Sequence, residues 1–340
     1  MFTCSKFIQP KLSCQYPNKT NKKIIMNIAI KAFLLLSIAA STALTNAAIA
    51  SSSADNTVVL TRAFADDTYG EYQITVLKRA LDVTPEYGDT TLKLHPQPMS
   101  QSRQMRTLLN GKADVMWSVT SQSREEKLIP VRLPLLRGYS GHRVFVVTPA
   151  KQAEFQRAAS LDELKQKQFV QGADWPDFTI LEANGFGVIG ETWSSWFTSM
   201  YLLVERDVVD GFPRNVIEIH DGIRRLNSKK LTIEGRHLLS YPNYEYFFVR
   251  GDRQALADRI RLGLIRLIKS GELAQIFNSI ETHQLANEIV NDTNRLVHKL
   301  NNPLISYRLN YADWINTPEL AVKAMEKEIG YMSLAIDSSD

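Results

Sequence analysis

Two arginines in this sequence stand where a guanidinium could grip a ligand. Arg124 closes the polar turn Ser118-Val119-Thr120-Ser121-Gln122-Ser123. Its planar fork matches a carboxylate; the competing role is a solvated turn arginine paired with Glu125 or Glu126. Arg214 follows Pro213 in an interrupted strand-like stretch, so its side chain is expected in a cleft, with a surface pair to Glu218 as the alternative. If both arginines face one cleft, the bound species is an anion. One charge-assisted hydrogen bond contributes only about 1.5–3 kcal/mol, whereas micromolar binding needs about 8 kcal/mol. Apolar burial and further hydrogen bonds must supply the difference. Trp117 near the carboxyl end of a strand-like run, Tyr69 ahead of the first helix, and Trp175, Trp193 and Trp196 near turns are the aromatic candidates, each with core packing as its competing role. Ser118, Thr120 and Ser121 are the hydroxyl candidates, with ordinary turn bonding as theirs.

Metal and nucleophile chemistry is poorly represented. The six histidines, His95, His142, His220, His237, His283 and His298, are scattered without metal-ligand spacing. No HExxH, phosphate-binding loop or G-x-S-x-G occurs. Gly185–Gly190 matches G-x-G-x-x-G, but it lies on a strand-like run rather than between a strand and a helix. No cofactor and no metal are expected. An enzyme would need a positioned acid or base, for which Glu125, Glu191 and Glu218 are the candidates.

The elements that must position these residues begin after a leader. Residues 1–50 hold six lysines and no acid, and Ala32–Leu44 is an uncharged run of thirteen residues flanked by Lys31. That is too short to span a bilayer, which takes about 20, and it suits a signal peptide. Ala48-Ile49-Ala50 supplies a small-x-small cleavage pattern, so the cut is expected after Ala50, with Met26 as the start. The whole chain of 340 residues has 40 basic and 36 acidic residues and a net charge of +4. Without the leader's six lysines the net charge is −2, which removes the main support for a nucleic-acid partner. Both cysteines, Cys4 and Cys14, also leave with the leader, as suits an oxidising compartment. A periplasmic, exported monomer is expected.

Downstream, strand-like runs alternate with helical ones. Thr57–Thr61, Thr91–His95 and Ala113–Val119 read as strands, and Glu71–Leu81 and Ser100–Leu109 as helices. Val144–Thr148, Phe169–Gln171, Phe186–Ile189 and Asp210–Arg214 are further strands, with helices at Phe178–Glu182, Ser194–Glu205 and Val216–Leu226. Ser160-Leu161-Asp162-Glu163 is a capping box. Two strand-like runs fall in 237–250. Leu256, Ile260, Leu264, Leu267 and Ile268 then form an apolar stripe with Arg259, Arg261, Arg266 and Lys269 off it. Glu272–Phe277 begins the next helix, and the tail from Asn287 reads as mostly helical.

Three stretches in this order resemble the periplasmic solute-binding proteins of family 3, as a divergent member. They are Leu109–Pro134, Ser160–Arg214 and Tyr246–Phe277, and the likeness covers roughly residues 57–280. It implies a type II periplasmic binding protein fold: two α/β lobes, each a mostly parallel sheet flanked by helices, joined by crossing strands. The implied division is 57–143 with 249–340 as lobe 1, including a helical extension from about 280, and 144–248 as lobe 2. The resemblance implies that Ser118, Thr120, Ser121 and Arg124 grip a carboxylate. It departs from amino acid receptors in a turn about two residues shorter, and in Arg214 or Asn215 standing where an acid would hold an α-ammonium. The expected function is capture of a small polar or anionic solute for an ABC permease or a sensor. The alternative is a dehydratase-like or lyase-like enzyme on the same fold.

Overall fold

The computed structural model describes residues 56–63, 69–192, 196–309 and 323. The chain divides into two units, Met1–Asn56 and Thr57–Asp340, and every described helix and strand belongs to the second. The expected signal peptide and its cut after Ala50 lie outside the described residues.

The unit opens with β1 (Thr57–Leu60), α1 (Glu71–Asp82), β2 (Thr91–Leu94), α2 (Gln101–Leu109), β3 (Val115–Val119), the one-turn α3 (Gln122–Glu125) and β4 (Ile129–Val131). The chain then crosses into β5 (His142–Val147), α4 (Pro149–Arg157), α5 (Leu161–Lys165), β6 (Gln168–Gly172), α6 (Pro176–Ala183) and β7 (Gly187–Glu191). Next come α7 (Trp196–Glu205), β8 (Phe212–Asn215), α8 (Ile219–Leu226), β9 (Thr232–Ile233) and β10 (His237–Ser240). It returns through β11 (Glu245–Val249), α9 (Gln254–Lys269), α10 (Glu272–Ser279) and α11 (Glu281–Asn291), and closes on β12 (Leu296–Lys299).

The first sheet has the order β2-β1-β3-β11-β4. Its β1 is parallel to β2 and β3, as β-α-β crossovers require, and β11 runs antiparallel between β3 and β4. The apolar face of α9, with Leu256, Ile260, Leu264 and Leu267 buried, is part of the same core. Arg259, read from the sequence as lying off that stripe, is buried instead. Its guanidinium donates to the carbonyls of Leu81 and Gly88 and to the hydroxyls of Thr84 and Thr90, so it closes the carboxyl end of α1 and the loop beyond.

The second sheet has the order β12-β10-β5-β8, with β9 on β5, and a parallel β6–β7 pair joined to it by a bridge from Phe169 to Gly211. This sheet is mixed, because the chain enters along β5 and leaves along its antiparallel neighbour β10. Phe145, Phe155 and Phe169 fill its core with ring centroids 5.1–6.3 Å apart. The capping box forms at α5: Ser160 Oγ accepts from the Glu163 amide, while Glu163 reaches back to the amide of Ala159 rather than of Ser160.

The structure departs from expectation after residue 280. Beyond α11 the chain forms β12, which pairs in parallel with β10 of the second sheet, so residues 249–340 do not all stay with the first lobe. An open edge of β10 gives the alternating Leu296–Lys299 segment a ladder to join, and that outweighs its helical reading. The tail then returns. The Leu304 carbonyl accepts from the Gln122 amide, and the buried Tyr307 hydroxyl donates to Glu125 Oε1 over 2.7 Å.

Candidate functional site

A cavity of about 90 Å³ lies between the two sheets, walled by both. From the first come Trp117 and Ser118 at the carboxyl end of β3, Tyr69 and Gln73 at the start of α1, Gln101 of α2 and Glu245 of β11. From the second come Arg143 of β5, Gln171 of β6, Trp175 and Asp177 at the start of α6, Arg214 of β8 and Glu218 beyond it. Carboxyl ends of parallel strands and amino ends of helices open here because β-α units leave a crevice at that edge. A second cavity of about 270 Å³ shares Tyr69, Gln73, Trp117, Arg214 and Glu218 with the first.

Two glycines allow the aromatics to sit as they do. Gly70 has φ +83°, and a Cβ there would lie 2.5 Å from the Trp117 ring. A Cβ on Gly172 would come equally close, 2.5 Å, to the Trp175 ring.

The charges of the cavity are largely neutralised in pairs. Arg143 lies 2.7 Å from Asp177, and both are buried. Tyr241 also donates to Asp177, and Arg143 donates to the Ser140 and His142 carbonyls. Desolvation opposes the Arg143 charge, yet the neighbouring Asp177 carboxylate leads its pKa to a net rise. Arg214 pairs with Glu218 over 3.2 Å and lies over the Trp175 ring, 5.1 Å from its centroid. Desolvation opposes that charge too, and Glu218 with Tyr201, Tyr69 and Asp177 together turn this into a net rise.

Glu245 is the exception. Its Oε1 accepts from Gln73 Nε2 over 2.7 Å, and among the described residues no lysine, arginine or histidine pairs with it. Burial pushes its carboxyl up to about 7, with the Gln73 bond and Arg143 working against the rise and Glu218 adding to it. The side chain is half-buried, with its residual exposure on the cavity it lines.

Direct hydrogen bonds also join the two lobes. Tyr69 donates to Glu218 Oε1 over 2.9 Å across the cavity, and Asp174 Oδ2 accepts from the amide and hydroxyl of Ser102 at the start of α2, over 3.2 and 3.1 Å.

Of the residues expected from the sequence, Trp117, Ser118, Tyr69, Trp175 and Arg214 line this cavity. Arg124, Thr120 and Ser121 do not. Arg124 is buried behind the turn, donating to the Val119 carbonyl over 2.5 Å and to Gln101 Oε1 over 2.7 Å, so Gln101 stands between it and the cavity. Burial pulls its pKa down to about 10. Thr120 donates to Glu125, and Ser121 and Arg124 line a separate surface depression beside Trp175 and Pro303. The two-arginine anion grip is therefore not assembled, and Arg214 has the Glu218 partner named as its alternative. Trp193 lies outside the described residues, and only the backbone of Trp196 is described. Sequence reading missed Arg143, Asp177, Gln73, Gln101 and Glu245. The available signal was a single charge inside an apolar strand, as in His142–Val147 and Glu245–Val249.

Among the described residues no group of histidine, cysteine, aspartate or glutamate could hold a metal ion. No described helix is long and apolar enough to cross a membrane.

No protein-family profile matches the chain, and no curated protein matches it. Solved structures do. One is an amino acid ABC transporter substrate-binding protein of Streptococcus pneumoniae bound to L-arginine, at 17% identity and TM-score 0.51, over 68% of this chain and 96% of that one. An ancestral arginine-binding protein bound to arginine matches at 16% identity and TM-score 0.50, over 66% and 97%. A histidine kinase sensor domain with similarity to periplasmic binding proteins matches at 17% identity and TM-score 0.50, over 66% and 95%. With its two helix-flanked sheets and a cavity between them, the chain has the α/β fold of the periplasmic solute-binding proteins.

Proposed function

We propose that this protein is an exported solute-binding protein that encloses a small polar solute between its two lobes and presents the enclosed form to a membrane partner. The observation that carries this reading is the cavity itself, which draws side chains from both sheets and is bridged by Tyr69–Glu218, with Ser102–Asp174 a further contact between the lobes. A ligand can drive closure only through contacts that the open form lacks, and a site shared by two lobes supplies such contacts. These lobe-to-lobe bonds break when the lobes part, which supports reading the structure as the closed end of that motion. The similar structures include transporter receptors and a kinase sensor domain, which supports either an ABC permease or a sensor as the partner.

The test is a thermal-shift screen with amino acids, dicarboxylates, amines and sugars. A solute at 100 times its dissociation constant adds about 2.7 kcal/mol of stability, enough to see. No shift with any small solute would overturn the reading. One observation favours the enzyme alternative: a carboxyl held near neutrality, as Glu245 is, suits a general base. Release of an altered product from a bound solute would establish that role; return of the solute unchanged supports binding alone.

A further inference from the structure

We propose that Glu245 is the docking point for a cationic nitrogen, an amine or a guanidine, on a solute that carries no carboxylate. The proposal rests on the solute-binding reading and narrows it. The cavity already holds its counter-ions for Arg143 and Arg214, in Asp177 at 2.7 Å and Glu218 at 3.2 Å. A carboxylate on the solute would compete for its arginine with the buried Asp177 or with Glu218. Glu245 is in the opposite position. One of its oxygens accepts from the Gln73 amide, and the carboxyl has no cation against it among the described residues.

The surroundings suit a cation in a second, independent way. Trp117 and Tyr69 line the same cavity, and aromatic faces attract cations through their ring quadrupoles. The titratable and charged groups around Glu245 are Arg143 on β5, Glu218 before α8, and Tyr69 and Tyr72 at the start of α1. Arg143 and Glu218 bear opposite charges and are each paired elsewhere. A bound ammonium therefore meets one carboxyl with bonding capacity to spare. Burial keeps that carboxyl near half-protonated at neutral pH, and an arriving cation displaces the proton.

The experiment is a thermal-shift and calorimetric comparison of the full chain and its Glu245→Gln variant. The probes are n-butylamine, 1,4-diaminobutane, agmatine, L-arginine, n-butanol and succinate. The proposal expects amines to bind, agmatine at least as tightly as L-arginine, and n-butanol and succinate not to. It expects Glu245→Gln to fold with an unchanged or raised melting temperature, since the amide keeps an acceptor for Gln73, and to lose at least tenfold in amine affinity. Binding of succinate or n-butanol without the amines leaves the solute-binding reading standing and overturns the assignment of Glu245. Amine affinity unchanged in Glu245→Gln overturns it equally. No binding by any probe overturns the assignment of Glu245 and leaves the solute-binding reading to the wider screen.

Discussion

Glu125 and Glu245 belong to the same lobe, yet their surroundings differ in kind. Glu125 accepts from the hydroxyls of Thr120 and Tyr307 and twice from the Arg132 guanidinium, at 2.7 and 2.9 Å. Tyr307 in turn stacks on Tyr244 at a centroid distance of 5.8 Å, so the returning tail is part of the knot. Glu245 has one amide donor and a cavity. A buried carboxylate with its lone pairs satisfied is a structural tie, because desolvation is offset by hydrogen bonds made within the fold. One left with spare capacity costs stability, and folds keep such groups where a ligand completes them. The sequence suggested the reverse assignment: the Ser118–Arg124 turn looked like the grip, and Glu245 went unnoticed.

The largest test of this contrast is Asp177→Ala. It strips Arg143 of its buried counter-ion and should cost about 3–5 kcal/mol in chemical denaturation. A loss below about 1 kcal/mol would mean that the cavity charges are not paired as described. Next in size is the pH dependence that Glu245 imposes. Its carboxyl is raised from 4.5 to about 7 in the folded chain, so the folded state holds the proton more tightly than the unfolded one. This group's effect is therefore absent below about pH 4.5, and stability falls as pH rises through 7, by on the order of 3 kcal/mol in all. In Glu245→Gln that fall should vanish from urea denaturation curves taken between pH 5 and 8; an unchanged slope would place its origin elsewhere.

The knot gives smaller effects of opposite meaning. Tyr307→Phe removes a hydroxyl donated to Glu125 and should cost about 1.5–3 kcal/mol without altering solute affinity. Thr120→Val removes a further hydroxyl from the same carboxylate, and with Arg132 still in place about 1 kcal/mol is expected. If either variant weakened solute binding more than it weakened folding, the separation between tie and site would fail.

Much of the scaffold was legible because it is written in local periodicity. The Ile74, Leu77, Leu81 spacing marked α1, the stripe from Leu256 to Leu267 marked α9, and Ser160 with Glu163 marked the start of α5. A part of the cavity wall, Trp117 and Ser118, followed from the strand end that carries them. What local pattern could not show were partners distant in sequence. Arg124 turned inward because Gln101, 23 residues earlier, accepts its bond. Arg259 left its solvent-facing reading because it bonds carbonyls at the end of α1 and in the loop beyond, 178 and 171 residues away. β12 formed because the edge of β10 lies beside it. Each of these is a tertiary choice among several that the local sequence permits.

The most direct test of the account is a calorimetric titration of the full chain with agmatine and with succinate at pH 7, repeated in buffers of different ionisation enthalpy. Agmatine should bind with net release of protons, as a carboxyl raised toward neutrality gives one up to a cation, and succinate should give no heat of binding. Succinate binding with agmatine inert, or agmatine binding without proton release, would contradict it.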